Sequence, residues 1–325
     1  MKGKTGPVAD HLRPILDAYL DSAVALVGCA SRGMQRYSCE FDVLVVTGDT
    51  RPATSLKLGD VFVDVAFATE DEVLRPRPER ALSLASAKPV RDTSLTLSTA
   101  IATSSATLSA SAEAASTARL GSALKGLGRA EDALAKGSLI DADFWLMASS
   151  YEFAGAFLLS KEAVPSPSHL LSQLRSFSRG AAKSFEAVAA GAGLEAASRA
   201  GCGARLEGLT VLHDILRGGA PQGESEWSAA RTEILSAKAR ELVVRMELAE
   251  CYSFLGEELA EGVTALLRAR PRETLSSLTT GDGKLLGERL TRQLGLAREE
   301  APVRLGVAVL KEQVAALSKK RWGPE

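Results

Sequence analysis

The chain has 325 residues, enough for about one to three domains around a large core. Its 46% hydrophobic and 24% charged residues exclude a disordered or low-complexity protein and fit a globular one. A formal net charge of −1 gives no overall drive toward nucleic acid or an anionic membrane.

Val8, Leu12, Leu16 and Tyr19-Leu20 recur at helical spacing and predict an amphipathic helix over residues 8–20. Ala23 to Val27 reads as a buried strand. It runs into Gly28-Cys29-Ala30-Ser31-Arg32-Gly33, where glycines let backbone N–H groups approach an anion and Arg32 suits a carboxylate or phosphate contact. The next strand carries Glu40 and Asp42 on one face, about 7 Å apart at their Cα atoms, while Phe41, Val43 and Val45 point into a core. Two adjacent carboxylates on an apolar strand repel each other and are costly to desolvate. A divalent cation removes both penalties, and hard oxygen donors suit Mg²⁺; two solvated acids at the mouth of an edge strand are the simpler alternative. Residues 48–60, with Gly48, Pro52 and Gly59, predict a loop and turn. Alternation from Val61 to Phe67 buries Val61, Val63, Val65 and Phe67 and leaves Asp64 on the opposite face, where strand propensity does not explain an acid. The prolines of Arg75-Pro76-Arg77-Pro78-Glu79-Arg80 predict a connector.

Beyond this point periodicity is helical. Residues 93–118, rich in Ser, Thr and Ala without Gly or Pro, predict one tightly packed helix with Leu97, Ile101 and Leu108 as its stripe. Ser138 with Asp141 reads as a capping box opening a helix lined by Phe144, Met147, Tyr151 and Leu158. Ser166-Pro167 predicts an N-cap and first helical residue before Leu170, Leu171 and Leu174. After a break at 217–226, Leu248, Tyr252, Leu255 and Leu259 make another face, and helix continues to Lys320. Lys and Arg outnumber Asp and Glu from Val263 onward, ending in Lys319-Lys320-Arg321; a solvated helix face explains this as well as an anionic partner does. His169 and His213 have no ligand-spaced companions, which argues against zinc.

The stretch from Gly28 to Asp42 resembles the signature of the DNA polymerase β-type nucleotidyltransferase superfamily: a Gly-Ser, an Arg-Gly three residues on, then Ser-Asp-x-Asp. Gly28, Arg32, Gly33, Glu40 and Asp42 fit without a gap, whereas Cys29 and Cys39 stand at the two serine positions and Glu40 replaces the first aspartate. The resemblance implies a third carboxylate from a later strand, for which Asp64 is the candidate. It implies a phosphate cradle at Gly28, Cys29, Arg32 and Gly33, and two Mg²⁺ ions at Glu40, Asp42 and Asp64. The helical part, especially Asp141 to Arg175, is similar in layout to the helical partner domains of small nucleotidyltransferases such as kanamycin nucleotidyltransferase.

The expected architecture is α+β: a small mixed-sheet nucleotidyltransferase-like domain at 1–90, then an all-helical bundle region at 91–325 with a sub-boundary near 217–226. The expected activity is transfer of a nucleoside monophosphate from an NTP to a hydroxyl or amine acceptor, with Glu152 weighed as general base against an ordinary surface glutamate. The alternative is a non-catalytic nucleotide-binding or antitoxin-like regulatory protein on the same fold. Expected partners are the NTP and its acceptor, with no membrane; only the basic C-terminal region favours nucleic acid, and homo-oligomerisation is left open. Met1 to Arg13 lack the apolar core of a secretory signal, and the cysteines at 29, 39, 202 and 251 form no framework, so a cytoplasmic location is expected.

Overall fold

The computed structural model describes residues 8–35, 39–49, 51–59, 61–189, 197–219, 227–279, 285–296 and 299–322. Arg36, Tyr37 and Ser38 of the signature, most of the expected break at 217–226 and residues 1–7 lie outside these. The fold is α+β, and the chain divides into two compact units: residues 1–114 with 217–241, and residues 115–216 with 242–325.

The first unit is built on a five-stranded mixed sheet in the order β3-β4-β2-β1-β5, with β1 at Val24–Val27, β2 at Phe41–Thr47, β3 at Thr54–Leu58, β4 at Val61–Thr69 and β5 at Lys88–Arg91. β2 and β4 are parallel; the other neighbours are antiparallel. Period-2 alternation gives the sheet two apolar faces. On one, Phe41, Val43, Val45, Val61, Val63, Val65 and Phe67 pack against Leu12 and Ile15 of helix α1 (Val8–Ala18). On the other, Ala25, Leu44 and Ala68 pack against Val73, Leu84, Leu97 and Ala100. Those four come from α3 (Glu70–Leu74), α4 (Pro78–Ala85) and α5 (Thr96–Ala106).

Local chemistry sets the joints. Thr69 ends β4 and caps α3 reciprocally: its hydroxyl accepts from the Glu72 N–H, and the Glu72 carboxylate accepts from the Thr69 N–H at 2.8 Å. Asp92 accepts from the N–H groups of Leu97 and Ser98 at 3.1 and 2.7 Å at the start of α5. The Arg91 guanidinium donates to the carbonyls of Leu16, Tyr19 and Ser22, tying β5 to the end of α1.

The strands expected near 23–28, 40–47 and 61–68 lie in one sheet, and among the described residues no strand follows Arg91, only an isolated bridge between Thr279 and Leu285. Several expectations are corrected. Residues 48–60 are not all loop, because Thr54–Leu58 pairs with β4 along its outer edge. Pro78 does not interrupt structure but opens α4 at its first turn, where its missing N–H costs nothing. The Ser/Thr/Ala run forms two helices, α5 and α6 (Leu108–Ala135), parted at Thr107, whose hydroxyl bonds back to the Thr103 carbonyl at 3.0 Å.

In the second unit, α6, α7 (Leu139–Leu159) and α14 (Glu300–Trp322) share a core of Leu120, Leu127, Leu146, Phe153, Val303, Leu310 and Val314. α7 is buried nearly all round, so Phe144, Met147, Tyr151 and Leu158 are part of a wider apolar surface than a single face. Ser138 is not a side-chain cap: its hydroxyl donates to Asp141, which also accepts from the Ser276 N–H at 3.1 Å. Further helices are α8 (Leu170–Phe177), preceded by a single 3₁₀ turn at Pro167–His169, α9 (Arg179–Ala189), α10 (Arg199–Gly219), α12 (Leu248–Ala269) and α13 (Leu286–Leu294), while α11 (Ala229–Val244) lies mostly in the 217–241 segment of the first unit. Arg205 of α10 is fully buried, donates to the carbonyls of Tyr252 and Leu294, and lies 3.3 Å from the Tyr252 ring centroid. No helix among the described residues is long and apolar enough to cross a membrane.

Candidate active site

β2 and β4 run in parallel with Asp42 directly beside Asp64. Glu40 precedes the first residue of β2, and with Phe41 buried in the opposite core it falls on the face of Asp42. One carboxylate oxygen from each of Glu40, Asp42 and Asp64 lies within 4.8 Å of the others. Residues distant in sequence are thus gathered by one parallel strand pair.

β1 contributes a third element. Val27 pairs with Asp42, and the chain turns at Gly28 with φ +66° into the four-residue helix α2 (Gly28–Ser31). A Cβ on Gly28 would stand 1.9 Å from Asp42 Oδ2, so both the backbone angle and the approach of the carboxylate require glycine. The turn is held by Ser31 Oγ and Arg32 Nε, which donate to the Gly28 carbonyl at 2.9 and 3.1 Å. Arg32 thus folds onto its own segment, with a terminal nitrogen 4.0 Å from Cys29 Sγ. Gly33 also has positive φ, at +72°.

Two cations that sequence reasoning missed come from α11, within residues 217–241 of the first unit. Lys238 Nζ donates to Glu40 Oε1 at 2.7 Å, and Arg231 donates to Asp64 Oδ2 at 3.0 Å while lying 4.0 Å from Glu40 Oε1. Glu233, on the same helix, pairs with Lys57 of β3. The available signal was spacing: residues 231 and 238 are two helical turns apart and share a face. It does not by itself select acids two hundred residues upstream from the many other charges.

These contacts divide the acids electrostatically. Burial works against the Glu40 carboxylate, but Lys238 and then Arg231 hold its pKa below the usual range. Asp42 is pushed the other way, to about 8, by burial of its carboxyl and by the charge of Glu40, with Cys29 and Asp64 adding to the repulsion against the pull of Lys238. Lys238 is raised by Glu40 despite its own burial. Asp64 Oδ1 is buried and has no hydrogen-bond donor among the described residues. Three hard oxygen donors at this spacing, one with an oxygen unpartnered, fit a divalent cation.

The two cysteines of the signature differ in access: Cys29 is half-buried and Cys39 only 3% exposed. In mass-spectrometric alkylation of the folded protein, Cys29 should react at least about tenfold faster than Cys39. Saturating Mg-NTP should slow Cys29; unchanged labelling would argue against a phosphate cradle at Gly28 to Gly33. Glu152, weighed as a base, sits on α7 in the second unit, 3.7 Å from Arg119, with its pKa raised by burial.

The chain matches no protein-family model, and no curated protein matches it. A solved structure of a nucleotidyltransferase-like protein from Exiguobacterium sibiricum is similar at 13% identity with a TM-score of 0.35, over 97% of this chain and 92% of that one.

Proposed function

We propose that this chain is a nucleotidyltransferase that moves a nucleoside monophosphate from an NTP to a hydroxyl or amine acceptor, releasing pyrophosphate and a proton. The observation that carries the reading is the convergence of Glu40, Asp42 and Asp64 beside the Gly28 turn. In this reading the three carboxylates would hold Mg²⁺, as two ions when substrate is bound. Bound there, the metal supplies Lewis-acid stabilisation of charge on the phosphates and on the acceptor oxygen or nitrogen. Gly28 leaves Asp42 room to face the site, and the parallel pairing of β2 with β4 fixes Asp42 against Asp64. The chain's share of catalysis is therefore positioning and charge compensation.

A second reading, a nucleotide-binding regulator without turnover, is favoured by the ion pairs of Lys238 and Arg231 with these carboxylates. Calorimetric titration with Mg-ATP and Mg-GTP, followed by incubation with each labelled NTP and a cell extract, tests both. Binding with label transferred to an acceptor is expected. Binding without transfer favours the regulator, and no binding with Mg²⁺ or Mn²⁺ removes the nucleotide reading altogether.

A further inference from the structure

Lys238 and Arg231 place two positive charges where a divalent cation would need three negative ones. Lys238 is only 8% exposed, and lysine is seldom so buried unless paired. Its ammonium is 2.7 Å from Glu40, and the Arg231 guanidinium is 3.0 Å from Asp64. Even with all three carboxylates ionised, the two cations leave at most one formal negative charge, too little to hold a dication in a partly buried site. Bringing a dication within a few ångströms of an ammonium is moreover strongly repulsive in such surroundings. Accommodation therefore requires the two side chains to leave.

The geometry allows that departure. α11 buries Ile234, Leu235 and Ala239 and pairs Glu233 with Lys57 of β3, so it has anchors other than the acids and can stay in place while two long stems swing. Asp64 gives only Oδ2 to Arg231 and keeps Oδ1 unpartnered among the described residues, leaving an oxygen for an incoming ion. What the displaced cations lack is a new anion. A polyphosphate supplies it, since arginine pairs with phosphate through its planar fork and lysine as a point charge.

We infer that Lys238 and Arg231 are resident counter-cations that exclude a lone divalent ion, and that a polyphosphate admits the ion by drawing both side chains onto its own oxygens. The inference rests on the reading of Glu40, Asp42 and Asp64 as a metal site. It adds an order of events: metal and polyphosphate enter together, and neither enters well alone.

The test follows protein-bound Mn²⁺ by ultrafiltration of the full chain, with and without sodium tripolyphosphate, against protein-free controls for the chelation of Mn²⁺ by tripolyphosphate itself. Wild type should bind Mn²⁺ weakly alone and at least about tenfold more tightly with tripolyphosphate. Lys238→Met should bind Mn²⁺ alone at least about tenfold more tightly than wild type, with a smaller further gain from tripolyphosphate because only Arg231 is left to displace. Lys238→Arg, which keeps the charge, should stay weak. A purely structural lysine predicts the opposite sign for Lys238→Met. If Lys238→Met leaves Glu40 too poorly compensated to fold, Arg231→Met, whose side chain is 26% exposed, should give the same tightening. Mn²⁺ binding equal in wild type and both methionine variants overturns the exclusion while leaving the metal site standing. No Mn²⁺ binding by any of them, with or without tripolyphosphate, overturns the metal site and the exclusion with it.

Discussion

Changing Asp42 to asparagine should abolish Mg²⁺- or Mn²⁺-dependent NTP binding while leaving the protein folded and, above neutral pH, more stable than wild type. Loss of an outer partner alone costs metal sites about 10- to 100-fold in affinity, so loss of a ligand should exceed about a hundredfold. The stability change follows from the proton. Asp42 has a folded-state pKa near 8 against an ordinary 3.8, chiefly through burial and then Glu40. Between those values the folded chain holds a proton that the unfolded chain has lost, so stability falls as pH rises across that window. Asparagine removes this slope, and by pH 9 the variant should lead by on the order of 2 kcal/mol. Urea melts of both proteins at pH 5 and pH 9, beside Mn-ATP titration at pH 7.5, check the two halves separately. Equal nucleotide binding by the two proteins would place the nucleotide site elsewhere, and an unchanged pH slope would show that Asp42 titrates normally.

Gly28→Ala should cost about 3 kcal/mol or more of stability, large for a surface turn. The left-handed backbone alone costs a side-chain-bearing residue about 1–2 kcal/mol. The new methyl would also meet Asp42 Oδ2 at 1.9 Å and Cγ at 2.6 Å. Gly33→Ala is the control, since Gly33 has a similar φ of +72° but nothing within 4 Å of the added carbon. It should lose only about 1 kcal/mol. Denaturant midpoints that shift equally in the two variants would mean that the Gly28 turn does not press on Asp42.

Much of this was legible in the sequence wherever side-chain period and burial coincide. Alternation in Phe41 to Val45 and Val61 to Phe67 fixes which residues enter the core, and with them which face carries Asp42 and Asp64. β3 was hidden because its five residues are half-buried or exposed at a sheet edge, between turn-forming Pro52 and Gly59. β5 was hidden by Pro89, which an edge strand tolerates but sequence reading counts against a strand. Pro78 shows the same ambiguity for helices, since proline both forbids an interior and favours a first turn. Among candidate site residues, Asp42 and Asp64 lie on strands whose alternation orients them, and Glu40 and the Gly28 turn directly adjoin β2 and β1. Lys238 and Arg231 reach Glu40 and Asp64 from a helix across a sequence separation near the length of a domain. No local rule connects such positions; only the closing of the first unit does.

That closing has a timetable. Residues 1–114 leave the ribosome well before residues 217–241, which complete the same unit. At ordinary elongation rates the interval is on the order of ten seconds. Throughout it Glu40, Asp42 and Asp64 exist without either of the counter-cations that pair with them in the finished unit. The residues that neutralise the cluster are thus among the last of that unit to be made.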